Sequence, residues 1–160
     1  MAAKAGVTAS SHTKLRPVPI SSGRLGDGFW KPRMDINSQH SIPKLLAHLE
    51  EHGVVDNFAI VSGRKKTERK GPYFTDFYKW MEAAAFDLQT YDSPGTRRDL
   101  DRIIDEVVAA QGEDGYLNTY FQGDLFDQRF RNLPVEHELY CAGHLFQAAV
   151  AHHRATGSDK

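Results

Sequence analysis

The residues of this 160-residue chain whose types and spacing could do chemistry gather near its end. The stretch 135–157 reads VEHELYCAGHLFQAAVAHHRATG and holds His137, Glu138, Cys141 and His144. At about 100° per residue, His137, Cys141 and His144 fall within an arc of roughly 60° on a helix. Leu139, Phe146 and Val150 fall on about the opposite side. Between Glu138 and Arg154 there is no Asp, Glu, Lys or Arg. A helix without a charged face is expected to be buried, here with its histidine side turned towards a cavity. The plainer reading is a core helix whose histidines hydrogen-bond to nearby backbone. A third reading is a metal-dependent hydrolase using His137, Cys141 and His144. The zincin motif needs a second His four residues after the first, and that position is Cys141, with the next His at His144.

Composition narrows the partners. The formal net charge is -1, with 20 Lys+Arg against 21 Asp+Glu, so no long-range field favours nucleic acid or an anionic membrane. The single cysteine excludes a disulfide framework and a multi-cysteine zinc site built from this chain alone. No apolar run is long enough to cross a bilayer, and MAAKAGVTASSHTK has no hydrophobic segment of the secretory kind. A cytoplasmic location is expected.

The elements that must position these residues follow from periodicity. Residues 1–25 are expected to form an extended or flexible arm, with Pro17 and Pro19 enforcing extended backbone and Leu15 to Ile20 a candidate edge strand. Phe29 and Trp30 are large enough to anchor that arm on the core; Trp30 stacked on a ligand is the alternative. A first helix is expected within 34–52, where Ile42, Leu45, Leu46 and Leu49 share one face. Pro43 either opens it or kinks it. The basic run GRKKTERKG reads as a solvated loop. The second helix is the clearest, because Phe77, Trp80, Met81, Ala84, Ala85 and Leu88 recur at helical spacing. Asp76 precedes it as a cap, or as a carboxylate for sugar hydroxyls. A third, amphipathic helix over 97–111 carries Leu100, Ile103, Ile104, Val107 and Val108 as its stripe.

Between the third and fourth helices lies QGEDGYLNTYFQGD. Asp114-Gly115 marks a turn, and Tyr116 to Phe121 mix rings and amides without a regular period. Such a loop suits a sugar, which offers apolar C–H faces and hydroxyl edges, and it equally suits a packed Ω-loop. The sum is all-α: apolar inner helices alternating with amphipathic outer ones, as in an α/α toroid. Four helices do not close such a ring. The expectation is a partial (α/α)6 barrel, residues 26–160 being the N-terminal part of a larger catalytic domain.

GFWKPR, TDFYKWMEAAAFDL, AAQGEDGYLNTYF and HELYCAGHLFQAAVAHHRATG occur in an order and spacing that resemble glycoside hydrolase family 127, the β-L-arabinofuranosidase-like proteins. The resemblance implies an (α/α)6 barrel that cleaves terminal arabinofuranosides with retention, using a zinc-bound cysteine as nucleophile and a glutamate as acid/base. Those two residues and the zinc ligands are expected beyond Lys160, so neither a catalytic residue nor a metal or other cofactor is expected in this chain. By resemblance His137 contacts the sugar, while Asp76, Asp114, Tyr116 and His144 line or support the same end of the barrel. Glu138 would orient a neighbour that the sequence does not identify. Cys141 would be a small packing residue and not the nucleophile. The expected partner is a saccharide, and a homo-oligomer is compatible with the full-length protein. The reading from another class is a non-catalytic helical carbohydrate-binding or interaction module.

Overall fold

The computed structural model describes residues 12, 14–15, 18–69 and 75–160, with Thr75 and Asp76 described by backbone alone. Among the described residues all regular structure is helical. After a short 3-10 turn at Ile20–Ser22, α1 (Trp30–Ile36) runs through a π turn, Asn37–Ser41, into α2 (Ile42–Glu51). Backbone dihedrals stay right-handed across both junctions, so this is one long helix with a widened turn. Pro43, in the first turn of α2, supplies the reason: it has no N–H for the ladder, and the helix widens just ahead of it. Then come α3 (Asp56–Val61), α4 (Thr75–Leu88), α5 (Pro94–Ala110), α6 (Leu133–Glu136) and α7 (Glu138–Thr156).

The core is built around α4. Phe77, Trp80, Met81, Ala84, Ala85 and Leu88 are all buried, as their spacing predicts. Phe77 stacks on Phe58 of α3 with ring centroids 4.8 Å apart. Trp80 donates its ring N–H to the Ile42 carbonyl at 2.9 Å, joining α4 to α2. Ile42, Leu46 and Leu49 of α2 and Leu100, Ile103, Ile104 and Val107 of α5 complete the core. Val108, assigned to the α5 stripe by periodicity, is exposed instead. Ser38 in the π turn donates to Asp87 at 2.9 Å, a buried bond from the long helix to the end of α4. Burial pushes the Asp87 carboxyl above the ordinary carboxylate range, and the Ser38 hydrogen bond opposes that rise.

Two further expectations concern Phe29 with Trp30, and α7. Phe29 and Trp30 do not anchor an arm: they meet edge to face at 5.0 Å and both are exposed, while the Arg33 guanidinium covers the Phe29 ring at 3.4 Å. The second concerns α7. It packs most extensively against α4; its buried apolar residues are Cys141, Ala148 and Ala151, with Leu145 partly buried beside them, and not the Leu139, Phe146 and Val150 side. Leu139, Phe146 and Val150 are 61%, 66% and 49% exposed. The physical reason lies in size. Small side chains let two helices approach closely, so α4 with its Ala84 and Ala85 takes the small-residue face of α7.

The basic stretch is tied down more than a solvated loop would be. Arg64 pairs with Glu106 at 2.7 Å, and Arg69 donates to the Thr119 and Tyr120 carbonyls at 2.6 and 3.1 Å. The 111–132 segment is a packed loop: Asn118, Thr119 and Phe121 are buried, and Gln122 donates to the Ala110 carbonyl at 2.7 Å. No helix among the described residues is long and apolar enough to cross a membrane.

Candidate functional site

The stretch expected as one helix from 135 breaks at His137. The residue adopts the left-handed conformation, φ 56° and ψ 24°, closing α6 and opening α7. Seven residues earlier, Phe130 also has positive φ, 61°. Left-handed backbone is unfavourable for side-chain-bearing residues and persists only where the surroundings fix it. Glu138 fixes both. It is 4% exposed, and its two oxygens are both used: one accepts from the Tyr116 hydroxyl, the other from the Phe130 backbone N–H at 2.7 Å. As the first residue of α7, its carboxylate also lies at the positive end of the helix dipole.

Asp114 and Tyr116 join the same cluster. Asp114 accepts from the Tyr116 backbone N–H at 3.1 Å and pairs with Arg129 at 2.8 Å. The Arg129 guanidinium beside it, and then the Tyr116 N–H, hold its carboxyl below the usual carboxylate range. Arg129 reaches over the rings of Phe126 and Tyr116, 3.6 and 4.7 Å from their centroids. Phe130 meets Tyr116 edge to face at 5.4 Å. Burial, and then the hydrogen bond to Glu138, drive the Tyr116 hydroxyl far above the ordinary phenol range, so it stays protonated as a donor. Asp114 therefore shapes the turn and holds Arg129; Tyr116 supports Glu138.

His137 and His144 form a second group beside it. His137 meets Tyr140 at 6.0 Å, Tyr140 meets His144 edge to face at 4.5 Å, and Lys79 of α4 lies over the Tyr140 ring at 5.6 Å. The His137 side chain is exposed, not buried towards an enclosed cavity, because its left-handed backbone carries it off the packed face of α7. His144 is half-buried, and its Nδ1 is buried without a hydrogen-bond partner among the described residues. Asp76 lies in the first turn of α4, and its side chain falls outside the described residues.

The metal reading of α7 would need His137, Cys141 and His144 to converge. Cys141 is buried against α4, and burial pushes its thiol up. Among the described residues the one group within metal-holding reach of itself is His48, Glu51 and His52, on α2. His137, Cys141 and His144 do not form such a group. Sequence reasoning missed Arg129, the left-handed Phe130, and what Glu138 holds. The paired Arg and Phe of QRFRN in a loop already rich in rings were the available signal for the first two.

Comparisons with known proteins converge. The model of the β-L-arabinofuranosidase GH127 catalytic domain matches residues 22–160. A non-reducing end β-L-arabinofuranosidase of Bifidobacterium longum is 37% identical over 72% of this chain, which spans 18% of that protein. The crystal structure of a GH127 β-L-arabinofuranosidase from Geobacillus stearothermophilus T6 superposes with a TM-score of 0.81 at 38% identity, over 85% of this chain and 23% of that one. A second GH127 β-arabinofuranosidase structure gives 0.78 at 30% identity, over 89% and 24%. The helices are thus part of an (α/α)6-type barrel, and the chain spans about a fifth of the relatives that it matches.

Proposed function

Since the chain belongs to the GH127 β-L-arabinofuranosidase family, we propose that it is the N-terminal part of a retaining glycoside hydrolase acting on terminal arabinofuranosides and that its share of the work is to bind the sugar. The observation that carries this reading is His137. An exposed imidazole set on a left-handed turn, with a buried carboxylate locking the next residue, is a pre-positioned polar group beside rings, and that arrangement suits a sugar hydroxyl. Tyr140 and His144 extend the surface, and Asp114 and Tyr116 keep the turn in place. Asp76, at the start of α4, is the further carboxylate assigned to this end of the helices.

None of the 160 residues is assigned the acid/base or nucleophile role. The glutamate and the cysteine of the double displacement, with the zinc ligands, are assigned to residues following Lys160.

The test uses methyl β-L-arabinofuranoside titrated into the chain and followed by NMR. The His137 ring resonances are expected to shift saturably, and His137→Ala is expected to remove the response at His144. Shifts that ignore His137 would refute the pocket assignment. The chain alone is expected not to hydrolyse an aryl β-L-arabinofuranoside; turnover would overturn the division of labour between binding and chemistry.

A further inference from the structure

The C-terminal turn of α2 carries His48, Glu51 and His52 in the order His-x-x-Glu-His. We infer that these three residues form a binding site for a borderline divalent transition-metal ion such as Zn2+, separate from the saccharide face and independent of the activity proposed above. Histidines four apart lie on one helix face, one turn above the other. Here their rings are 4.1 Å apart between centroids, tilted by 48°. One ligand atom from each of the three residues lies within 4.8 Å of the others. Donors at about 2.0–2.1 Å from a tetrahedral zinc stand roughly 3.3 Å from one another. The gap closes with small rotations of exposed side chains, and all three are exposed.

A second observation concerns the tautomer. His52 Nδ1 lies 2.8 Å from the His48 carbonyl oxygen. A carbonyl only accepts, so Nδ1 carries the proton and donates. Nε2 of His52 then presents its lone pair outward. A ring nitrogen tied to a backbone carbonyl, with the other nitrogen directed at a metal, is the arrangement that orients histidine ligands. The neighbouring Glu50 is drawn away by Arg102 at 2.6 Å, which leaves Glu51 as the carboxylate of the set. Two imidazoles and one carboxylate leave a fourth position for water. That donor set selects Zn2+, Cu2+ or Ni2+ over Mg2+ and Ca2+, which require an oxygen shell.

The site ties the last turn of α2, so an ion bound there stabilises the folded chain by mass action. The experiment uses the untagged chain after chelator treatment, with ZnCl2 titrated by calorimetry. One equivalent is expected to bind, with a rise in Tm, and MgCl2 is expected to give neither. His48→Ala and His52→Ala are each expected to weaken zinc about tenfold or more, Glu51→Gln by less, and Cys141→Ser not at all. With Cu2+ in place of zinc, electron paramagnetic resonance should show coupling to two imidazole nitrogens in the native chain and to one in His52→Ala. Absence of zinc binding up to about 1 mM would overturn the site. So would binding that survives both histidine variants or is lost in Cys141→Ser.

Discussion

The two sides of α4 are organised by different physics. Towards α2, α3 and α5 its neighbours interlock through large apolar side chains, and Trp80, Phe77, Phe58, Leu100 and Ile103 are almost wholly removed from water. Towards α7 the contact is made mainly by small residues, Cys141, Ala148 and Ala151 with Leu145 beside them, and order beyond it depends on one buried carboxylate, two left-handed residues and an arginine stacked on rings. The first side is held by area and shape. The second is held by a few polar groups that must all be satisfied together, while Leu139, Phe146 and Val150 remain open to solvent. Rigidity without a closed apolar core is what a binding face needs, since it fixes polar groups and leaves room beside them.

The sharpest way to break this contrast is at Trp80. Trp80→Ala removes the largest fully buried side chain and its hydrogen bond to Ile42, and is expected to lower stability by about 3–5 kcal/mol in urea denaturation. A loss below about 1 kcal/mol would mean that this side is not the structural half.

On the other side the corresponding residue is Glu138. Glu138→Ala strands the Phe130 N–H and the Tyr116 hydroxyl, and buried donors left without acceptors cost roughly 1–3 kcal/mol each. The expected loss is about 2–4 kcal/mol, with Glu138→Gln milder because one oxygen still accepts. Tyr116 fluorescence should report that the loop has loosened. A side held by apolar contact would instead tolerate Glu138→Gln with no change in either readout.

The same contrast explains what could be read in advance. The α4 stripe was legible to the residue because burial of large apolar groups obeys a period of 3.6, and the family resemblance gave the barrel. The face of α7 was misassigned because periodicity ranks residues by hydrophobicity, whereas this contact selects by size, and Ala148 and Ala151 won over Phe146 and Leu139. The α6–α7 break was hidden for another reason. His137 is not a glycine, and nothing local marks a left-handed turn whose support comes from Glu138 and a loop reaching back to Tyr116. Asp114 as a turn residue was visible from its following glycine; its pairing with Arg129, fifteen residues on, was not.

A smaller effect of opposite sign should separate strain from binding. His137→Gly relieves a left-handed residue worth about 1–2 kcal/mol, against roughly 0.5–1 kcal/mol of added chain entropy in the unfolded state. Thermal denaturation is expected to show a gain of up to about 1 kcal/mol, while the NMR response to the arabinofuranoside disappears. A stability loss would mean that the imidazole itself holds the turn and is not there to meet a ligand.

The smallest expected effect is the most direct test of which way α7 faces. Phe146 is a large apolar residue in a helix without a charged side, and periodicity alone would place it in the core. Its 66% exposure says otherwise. Removing a ring that already stands in water forfeits little transfer free energy and leaves no cavity, so Phe146→Ser is expected to change stability by less than about 0.5 kcal/mol. A loss of 3 kcal/mol or more in urea denaturation would require that the ring be packed, either within the chain or against another molecule. Dilution distinguishes these, because only the second makes the loss depend on protein concentration. A near-zero result places the Phe146 side of α7 outside the contacts that hold the described residues together.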